Sequence, residues 1–413
     1  MPKQYKKTLA ACCIGYVTQS VVVNLAPLFF VIFGRSFGFS YSYIATIVLV
    51  TFVVQIAVDA LSVSFMGRLG YRRCAVLSQV SACLGLAALG TLPQIMDAHA
   101  GVMIAVVIYS VGGALMEVVI SPITDSLPSK SSEASMSFLH SFYSWGQVFV
   151  IGVTTLLLVL FGENLWYVIP FIWTAVPITA GVMFCRVPII EPEPQNVFKA
   201  TGRLFGRRIF ILAMILMVCA GASEQIMAQW ASLFCERGLG VNKVVGDLLG
   251  PCLFAAFMGI GRSWYGAKGE KIDLRRALAL CSSFSIVCYL VTVLSGSSVM
   301  SLAGCALCGL GVSLLWPGMI SLSSSTFPDG GPAMFAYLAL GGDLGCSLGP
   351  YITGIVSDRV SSSDFGASLS ARVGTGIDEV SLKAGILAGI VFPIVMLIGC
   401  FALTKNKKKG LSQ

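Results

Sequence analysis

The residues best placed to do chemistry are a few carboxylates set inside apolar sequence. Glu117 lies in Gly113-Ala114-Leu115-Met116-Glu117-Val118-Val119-Ile120-Ser121-Pro122, within a run from Gly101 to about Leu127. That run is long enough to cross a bilayer. A carboxylate at such depth is costly and rare, and it ordinarily faces a protein interior or a water-filled path. Five residues on, Pro122 is expected to interrupt the helix, as membrane helices tolerate where neighbours satisfy the freed carbonyl. An acid in this setting suits a site that takes up and releases a proton or a polar solute. The plainer alternative is a permanently protonated acid that bonds across helices and only holds them together.

Other polar side chains carry similar pairs of readings. Glu224 fits either solute binding or structure. Asp343, after Gly341-Gly342 and before Gly345, fits a group that coordinates a cation or a hydroxyl, or one that caps a kinked helix. Asp59 fits a gating or a structural role near one end of its helix, and Asp247 a helix-start group near the outer surface. His140 fits a proton relay or an ordinary satisfied polar residue. Trp230 and Tyr143 fit stacking on a sugar ring, whose C–H faces favour aromatic planes, or packing within a bundle. The amides of Gln19, Asn24, Gln147 and Gln229 each offer a donor and an acceptor, which suits a ligand rich in hydroxyls.

The elements that must position these groups are membrane helices. The chain has 413 residues, 56% hydrophobic and 11% charged, with mean hydropathy +0.86, whereas soluble domains carry roughly 25% charged residues. The basic cluster Lys3, Lys6, Lys7 precedes an apolar stretch too long for a signal peptide and without a cleavage site, so the first segment reads as a retained helix. Apolar spans predict twelve helices, at about 8–33, 41–66, 74–95, 101–127, 135–161, 165–186, 208–235, 244–265, 276–297, 299–325, 332–357 and 382–404. The chain then divides into a first six-helix bundle, 1–186, a linker, 187–207, and a second bundle, 208–413, with a short basic tail. The Ser/Gly/Asp stretch 358–381 reads as an exposed loop.

Charge fixes the orientation. With the N-terminus in the cytoplasm, only Arg35, Arg237, Lys243, Arg359, Arg372 and Lys383 fall outside, and the rest of the 27 lysines and arginines, Lys130, Arg262 and Lys271 among them, stay inside. The positive-inside rule then puts both termini in the cytoplasm. The net charge of +8 needs no nucleic acid to explain it, and Lys405 to Lys409 form a topology anchor at the anionic inner leaflet. The fourteen cysteines lie mostly singly in apolar runs and read as small buried side chains, not as metal or redox sites. Cys305-x-x-Cys308 has no matching second pair.

Polar residues are unevenly shared. The third, sixth, ninth and twelfth helices hold no acidic, basic or histidine residue in their apolar centres. The first shows Tyr16, Gln19, Ser20, Asn24 and Pro27 on one face, and the fifth repeats this with His140, Tyr143, Ser144 and Gln147. Arginine is read as absent from the helix centres. One charge-free helix in three, with polar stripes on the others, implies a wet cavity ringed by lipid-facing supports. The halves also echo each other. Gly67-Arg68-Leu69-Gly70-Tyr71-Arg72-Arg73 matches Gly261-Arg262, Gly266 and Arg275-Arg276, and Leu127-Pro128 matches Phe327-Pro328. Internal repetition of this kind marks transporter folds.

This pattern resembles the major facilitator superfamily, an all-α fold of two pseudo-symmetric six-helix bundles, and Gly67 to Arg73 is similar to its helix 2–3 signature loop. Gly67 stands where that signature has an acid, so Asp59, Arg68, Arg72, Arg73 and Arg262 remain as the gating candidates. Within the superfamily, Glu117, Pro122, Leu127-Pro128 and Leu139-His140-Ser141-Phe142-Tyr143-Ser144-Trp145-Gly146 resemble the fourth and fifth helices of fucose–proton symporter-like permeases. Asn24-Leu25-Ala26-Pro27 and Gly221-Ala222-Ser223-Glu224 through Trp230 add to that likeness. Asn24 stands where that family uses an acid, and it does not titrate.

The resemblance implies secondary active transport of a small, neutral, sugar-like solute, bound by Gln19, Asn24, His140, Tyr143, Gln147, Glu224, Gln229, Trp230 and Asp343 and coupled to a proton on Glu117. No Walker-type loop, GxSxG elbow or HExxH is present, and the chain has only two histidines, so no enzyme, metal or cofactor is expected. The proton gradient is the driving force. The expected setting is a monomer in a bacterial inner membrane. The alternative is a proton-driven exporter of drug-like or cationic compounds.

Overall fold

Long uninterrupted apolar sequence leaves the backbone one way to satisfy its own N–H and C=O groups in hydrocarbon, the helix. The structure, a computed structural model, describes residues 2–39, 41–129, 131–191, 197–241, 245–246, 248–269 and 272–410. Asp247, Lys130, Lys243 and Lys271, together with Pro192 and Pro194 of the linker, lie outside the described residues.

The first six crossings begin with α1 (Lys3–Leu28), which is followed beyond Phe29 by the short α2 (Phe30–Phe37). Then come α3 (Tyr41–Leu69), α4 (Tyr71–Ile95), α5 (Ala98–Asp125) and α6 (Ser132–Phe161). A 3-10 turn, Glu163–Val168, leads into α7 (Ile169–Trp173) and α8 (Ala175–Arg186). The linker carries α9 (Val197–Phe205). The second set opens with α10 (Arg208–Leu233), which runs into a π turn, Phe234–Gly238. A second π turn, Leu248–Cys252, precedes α11 (Leu253–Lys268), and α12 (Leu274–Leu294) follows. The tenth crossing is split into α13 (Ser298–Val312) and α14 (Leu315–Thr326). The chain ends with α15 (Gly331–Ser361), α16 (Asp364–Val373), α17 (Ile377–Ala388) and α18 (Val391–Gly410). Among the described residues, nine helices are long and apolar enough to cross a membrane on that criterion alone. With α3, α11 and α15, the protein is an all-α integral membrane protein of twelve crossings.

Two details differ from the sequence reading. Pro122 does not interrupt its helix: α5 continues to Asp125 and is capped as Ser126 donates to the Pro122 carbonyl. Its ring removes the bond to the Val118 carbonyl, and the helix still continues for three residues beyond it. The stretch 358–381 is largely helical, since α15 extends to Ser361 and α16 is capped by the Ser363 hydroxyl accepting from the Gly366 N–H at 3.0 Å. Polar helices with good caps look like loops when judged by apolarity alone.

Helix ends are fixed locally. Asp97 accepts from Ala100, Ser131 from Ala134, and Asp273 from Arg275 and Arg276, each closing a first turn. Gly70, at φ +81°, turns the chain from α3 to α4, a conformation glycine adopts without strain. It has no side chain to cap α4, and Glu191 does so instead, its carboxylate accepting from the N–H groups of Tyr71 and Arg72.

The chain forms two compact units, residues 1–206 with 324–340 and residues 207–323 with 341–413. Within each, glycines let backbones touch. In the first, a Cβ on Gly112 of α5 would lie 2.5 Å from the Ala82 backbone nitrogen of α4, and Gly85 of α4 meets Tyr109 of α5 as closely. In the second, Gly309 meets the Phe254 carbonyl and Gly345 that of Val218. Outer faces are apolar: α4 exposes Leu77, Val80 and Leu84, and α12 exposes Leu280, Val287 and Leu294. Spacings of three, four and seven residues put each set on one stripe. Gly112→Val is therefore expected to lower stability by about 1–3 kcal/mol, read as a lower thermal midpoint of the purified protein. Gly152→Ala, where nothing lies within 4 Å, should leave the midpoint unchanged or raise it.

Candidate functional site

In the first unit the polar stripe of α1 faces inward and is paired across helices. Gln19 is 2% exposed, and its Nε2 donates to Oε2 of Glu117 on α5 at 3.0 Å. Glu117 is half-buried, with its carboxyl turned to α1. One turn earlier, the Tyr16 hydroxyl lies 3.2 Å from each ring nitrogen of His140 on α6, and the rings are 4.7 Å apart. Tyr143, one turn from His140, meets Tyr16 edge-on at 6.3 Å. The Ser20 hydroxyl donates to the Tyr143 carbonyl at 2.6 Å, in space left by Gly146, where a Cβ would lie 2.7 Å from that hydroxyl. Asn24 is half-buried and donates to its own helix, at the Ser20 carbonyl. Gln147 is buried on α6. The α1 face thus gathers Gln19 with Glu117, and Tyr16 with His140 and Tyr143.

The second unit is built differently. Phe254, Met258, Arg262 and Tyr265 form the buried side of α11, where residues three and four apart share one face. Arg262 is 2% exposed, and its guanidinium pairs with Glu224 of α10 at 2.8 Å. Its Nε donates to the Ser313 carbonyl at 2.9 Å. That carbonyl is available for a reason of sequence. Pro317, four residues on, has no N–H to offer it, so the hydrogen-bond ladder lapses between α13 and α14. Arg262 therefore satisfies one carboxylate and one orphaned carbonyl, and it ties α10, α11 and the split crossing together.

The sequence repeat set Arg262 after its helix, whereas α11 runs on to Lys268 and the side chain is buried among its neighbours. Glu224 is held by that arginine. The signals for this were the spacing of Arg262 from Phe254 and Met258, and Pro317 four residues after Ser313.

The remaining candidates spread out. Gln229 is exposed on α10, apart from any buried cluster. Trp230 donates its indole N–H to the Pro350 carbonyl at 3.2 Å and lies over Gly354 of α15, so its polar handle is spent on packing. Asp343 is buried at 3% exposure beside Gly342, which is covered by the Trp316 ring. Asp59 is fully buried on α3. Arg68 and Arg73 are exposed. Arg72 clamps the end of α8, donating to the Phe184 and Val187 carbonyls at 2.7 and 2.9 Å. With Glu191 capping α4, Arg72 braces α4 against the end of α8. Sequence reasoning passed over Glu191 and the bond from Tyr16 to His140. The fourteen cysteines carry free thiols, and among the described residues no group of acids, thiols and imidazoles has the make-up of a metal site.

Twelve apolar helices in two units, each enclosing paired polar groups, define a polytopic membrane protein of transporter type. The Major Facilitator Superfamily profile matches residues 9–350, and the chain belongs to that superfamily, whose members are transporters. Membrane protein MosC of Rhizobium meliloti is 24% identical over 259 residues, which span 62% of this chain and 61% of MosC. The transporter FucP in its outward conformation superposes with a TM-score of 0.76 at 15% identity, covering 96% of this chain and 99% of FucP. The proton:xylose symporter XylE gives 0.70 at 14% identity, covering 95% and 94%. At these identities the structural likeness is one of fold.

Removing one member of a buried ion pair strands the other, at a cost of about 3–5 kcal/mol. Arg262→Ala and Glu224→Ala are each expected to lower the thermal midpoint sharply. The double variant Glu224→Leu with Arg262→Met should recover much of the loss. Equal losses in the single and double variants would show that the pair is not what these residues contribute.

Proposed function

We propose that this protein is a secondary active transporter which carries a small, neutral, sugar-like solute by alternating access, in symport with a proton held by Glu117. The observation that carries this reading is the contact between Gln19 and Glu117 inside the first unit. There an ionisable carboxyl is kept from lipid and given a neutral partner, so its charge is free to change. The hydroxyl, amide and imidazole groups of Asn24, His140, Tyr143 and Gln147 on the adjoining helices suit a ligand rich in hydroxyls. FucP is an E. coli fucose:proton symporter and XylE a proton:xylose symporter, which supports the same class of solute here.

Neutrality of the solute rests on how Arg262 is used. Anionic solutes call for an arginine clamp with free donors, and Arg262 spends its charge on Glu224 and a further donor on Ser313. Asp343 remains the acid of the second unit proposed to meet a solute hydroxyl. No cofactor enters the cycle. The working form is a monomer with both termini in the cytoplasm of a bacterial cell, and the sequence repeats 1–186 and 208–413, joined by 187–207, are its two halves.

The buried acids Asp59, Glu117 and Asp343 favour a second reading, proton-driven export of cationic compounds, since a cation is the solute that carboxylates attract most strongly. Direction separates the two. Loss of an importer abolishes growth on a carbon source, whereas loss of an exporter raises sensitivity to a toxic cation.

A thermal-shift screen against monosaccharides, amino sugars and cationic drugs identifies the ligand class, with a monosaccharide expected to stabilise the protein. In proteoliposomes, Glu117→Gln should then abolish accumulation of that sugar under an imposed pH gradient while leaving sugar-for-sugar exchange intact. Undiminished gradient-driven accumulation in the variant would remove Glu117 from the coupling role.

A further inference from the structure

Gln19 is a buried amide with one end used and the other idle. Its Nε2 donates to Glu117, while its Oε1 is buried and has no hydrogen-bond partner. Leaving a buried carbonyl oxygen unmet is costly, and in the membrane no bulk water relieves it. The residue opposite that oxygen is Gly113, on the same helix as Glu117 and one turn before it. A Cβ on Gly113 would run into Gln19 Oε1. The double glycine of α5 therefore does two separate jobs. Gly112 lets α4 approach, and Gly113 opens the seat in which the amide end of Gln19 rests.

An amide is the one neutral side chain with a donor and an acceptor of nearly the same shape at its tip. With Glu117 ionised, the observed arrangement is the favourable one, because a carboxylate only accepts. With Glu117 neutral, the acid O–H needs an acceptor, and rotating the amide by half a turn brings Oε1 to it. The NH2 group then occupies the seat over Gly113, which is wide enough because no Cβ stands there. Either protonation state of the acid thus finds a partner without movement of the helices, and one amide end is idle in both.

We propose that Gln19, seated over Gly113, is the positioning residue for Glu117, its amide donating to the ionised carboxyl and turning over to accept from the neutral one. This rests on the reading of Glu117 as the group that exchanges a proton with water. The other ionisable side chains buried on α5 and on the helices packed against it are Tyr109 on α5, Tyr71 and Cys74 on α4, Asp59 on α3, Tyr16, Cys12 and Cys13 on α1, and His140 on α6, with Tyr143 half-buried beside it. The signal of Glu117 therefore has to be isolated from theirs.

Infrared difference spectra of the full-length protein in liposomes, taken between acid and alkaline pH without any solute, make that separation. The carboxyl C=O band lost in Glu117→Gln belongs to Glu117. In Gln19→Leu that band is expected to move to higher frequency, as a neutral acid deprived of its acceptor does. A side-chain amide C=O signal that changes in step with it should vanish. Gly113→Ala leaves both partners in place and fills the seat, and because the obstructed atom is the tip of a flexible side chain, the fold can absorb the change. It should displace the Glu117 band in the same direction. A Glu117 band that stays put in either variant, or the absence of a Gln19-dependent amide signal, overturns the proposal. These readings need no transport, so an uptake result that removes Glu117 from coupling leaves them standing, and their failure leaves the uptake result standing.

Discussion

The packing around the split tenth crossing depends on the cost of leaving a polar group unmatched in hydrocarbon. Arg262 shows it most plainly. An arginine in the interior of a membrane bundle is tolerated only where its charge and donors are met. Here the charge is met by Glu224 at 2.8 Å, and the Nε donor by a carbonyl that Pro317 has left without its usual N–H. The proline creates a vacancy in the ladder and the arginine fills it, so three crossings are joined at one point. Neither residue is explicable without the other.

The first unit meets its acid with a neutral partner. Glu224 faces a permanent cation, so protonating it would strand Arg262, whereas Glu117 accepts from the amide of Gln19. The two acids do not occupy equivalent places, since Glu117 lies in the fourth crossing and Glu224 in the seventh. Helices still meet through glycines in both, Gly146 against the Ser20 side chain in one and Gly345 against the Val218 carbonyl in the other. The scaffold repeats while the ionisable groups do not.

Much of this was legible in the sequence because it is local. A crossing announces itself within about 20 residues, so the twelve spans and the charge-free third, sixth, ninth and twelfth segments could be read directly. Glu117 could be singled out for the same reason, as a lone acid in an apolar run. What could not be read depends on depth and on partners far along the chain. Arg262 matched the repeat of Gly67-Arg68 and so looked like a loop residue. Its true depth is set by where α11 ends, and a π turn at Leu248–Cys252 precedes that helix. Pro122 and Pro317 are alike in sequence, yet one sits harmlessly at a helix end and the other opens a ladder. Tyr16 and His140 are 124 residues apart, and nothing short of the packed bundle joins them.

The placement of Arg262 also changes what can be said about the solute. Arg262 is buried with its charge already matched, and this bears on the proposed neutrality of the solute. An arginine selects an anion only if binding gives it something it lacks. Arg262 already has a carboxylate, buried with it and held on a neighbouring helix, and an incoming anion would have to displace Glu224 and leave it charged or protonated nearby. The exchange replaces one ion pair with another of similar strength and adds the desolvation of the solute. A neutral solute incurs none of that cost, since hydroxyls can be met by amides and imidazole without any charge changing hands. In the proposed cycle the charge that moves is a proton, and its proposed carrier, Glu117, accepts a hydrogen bond from an amide.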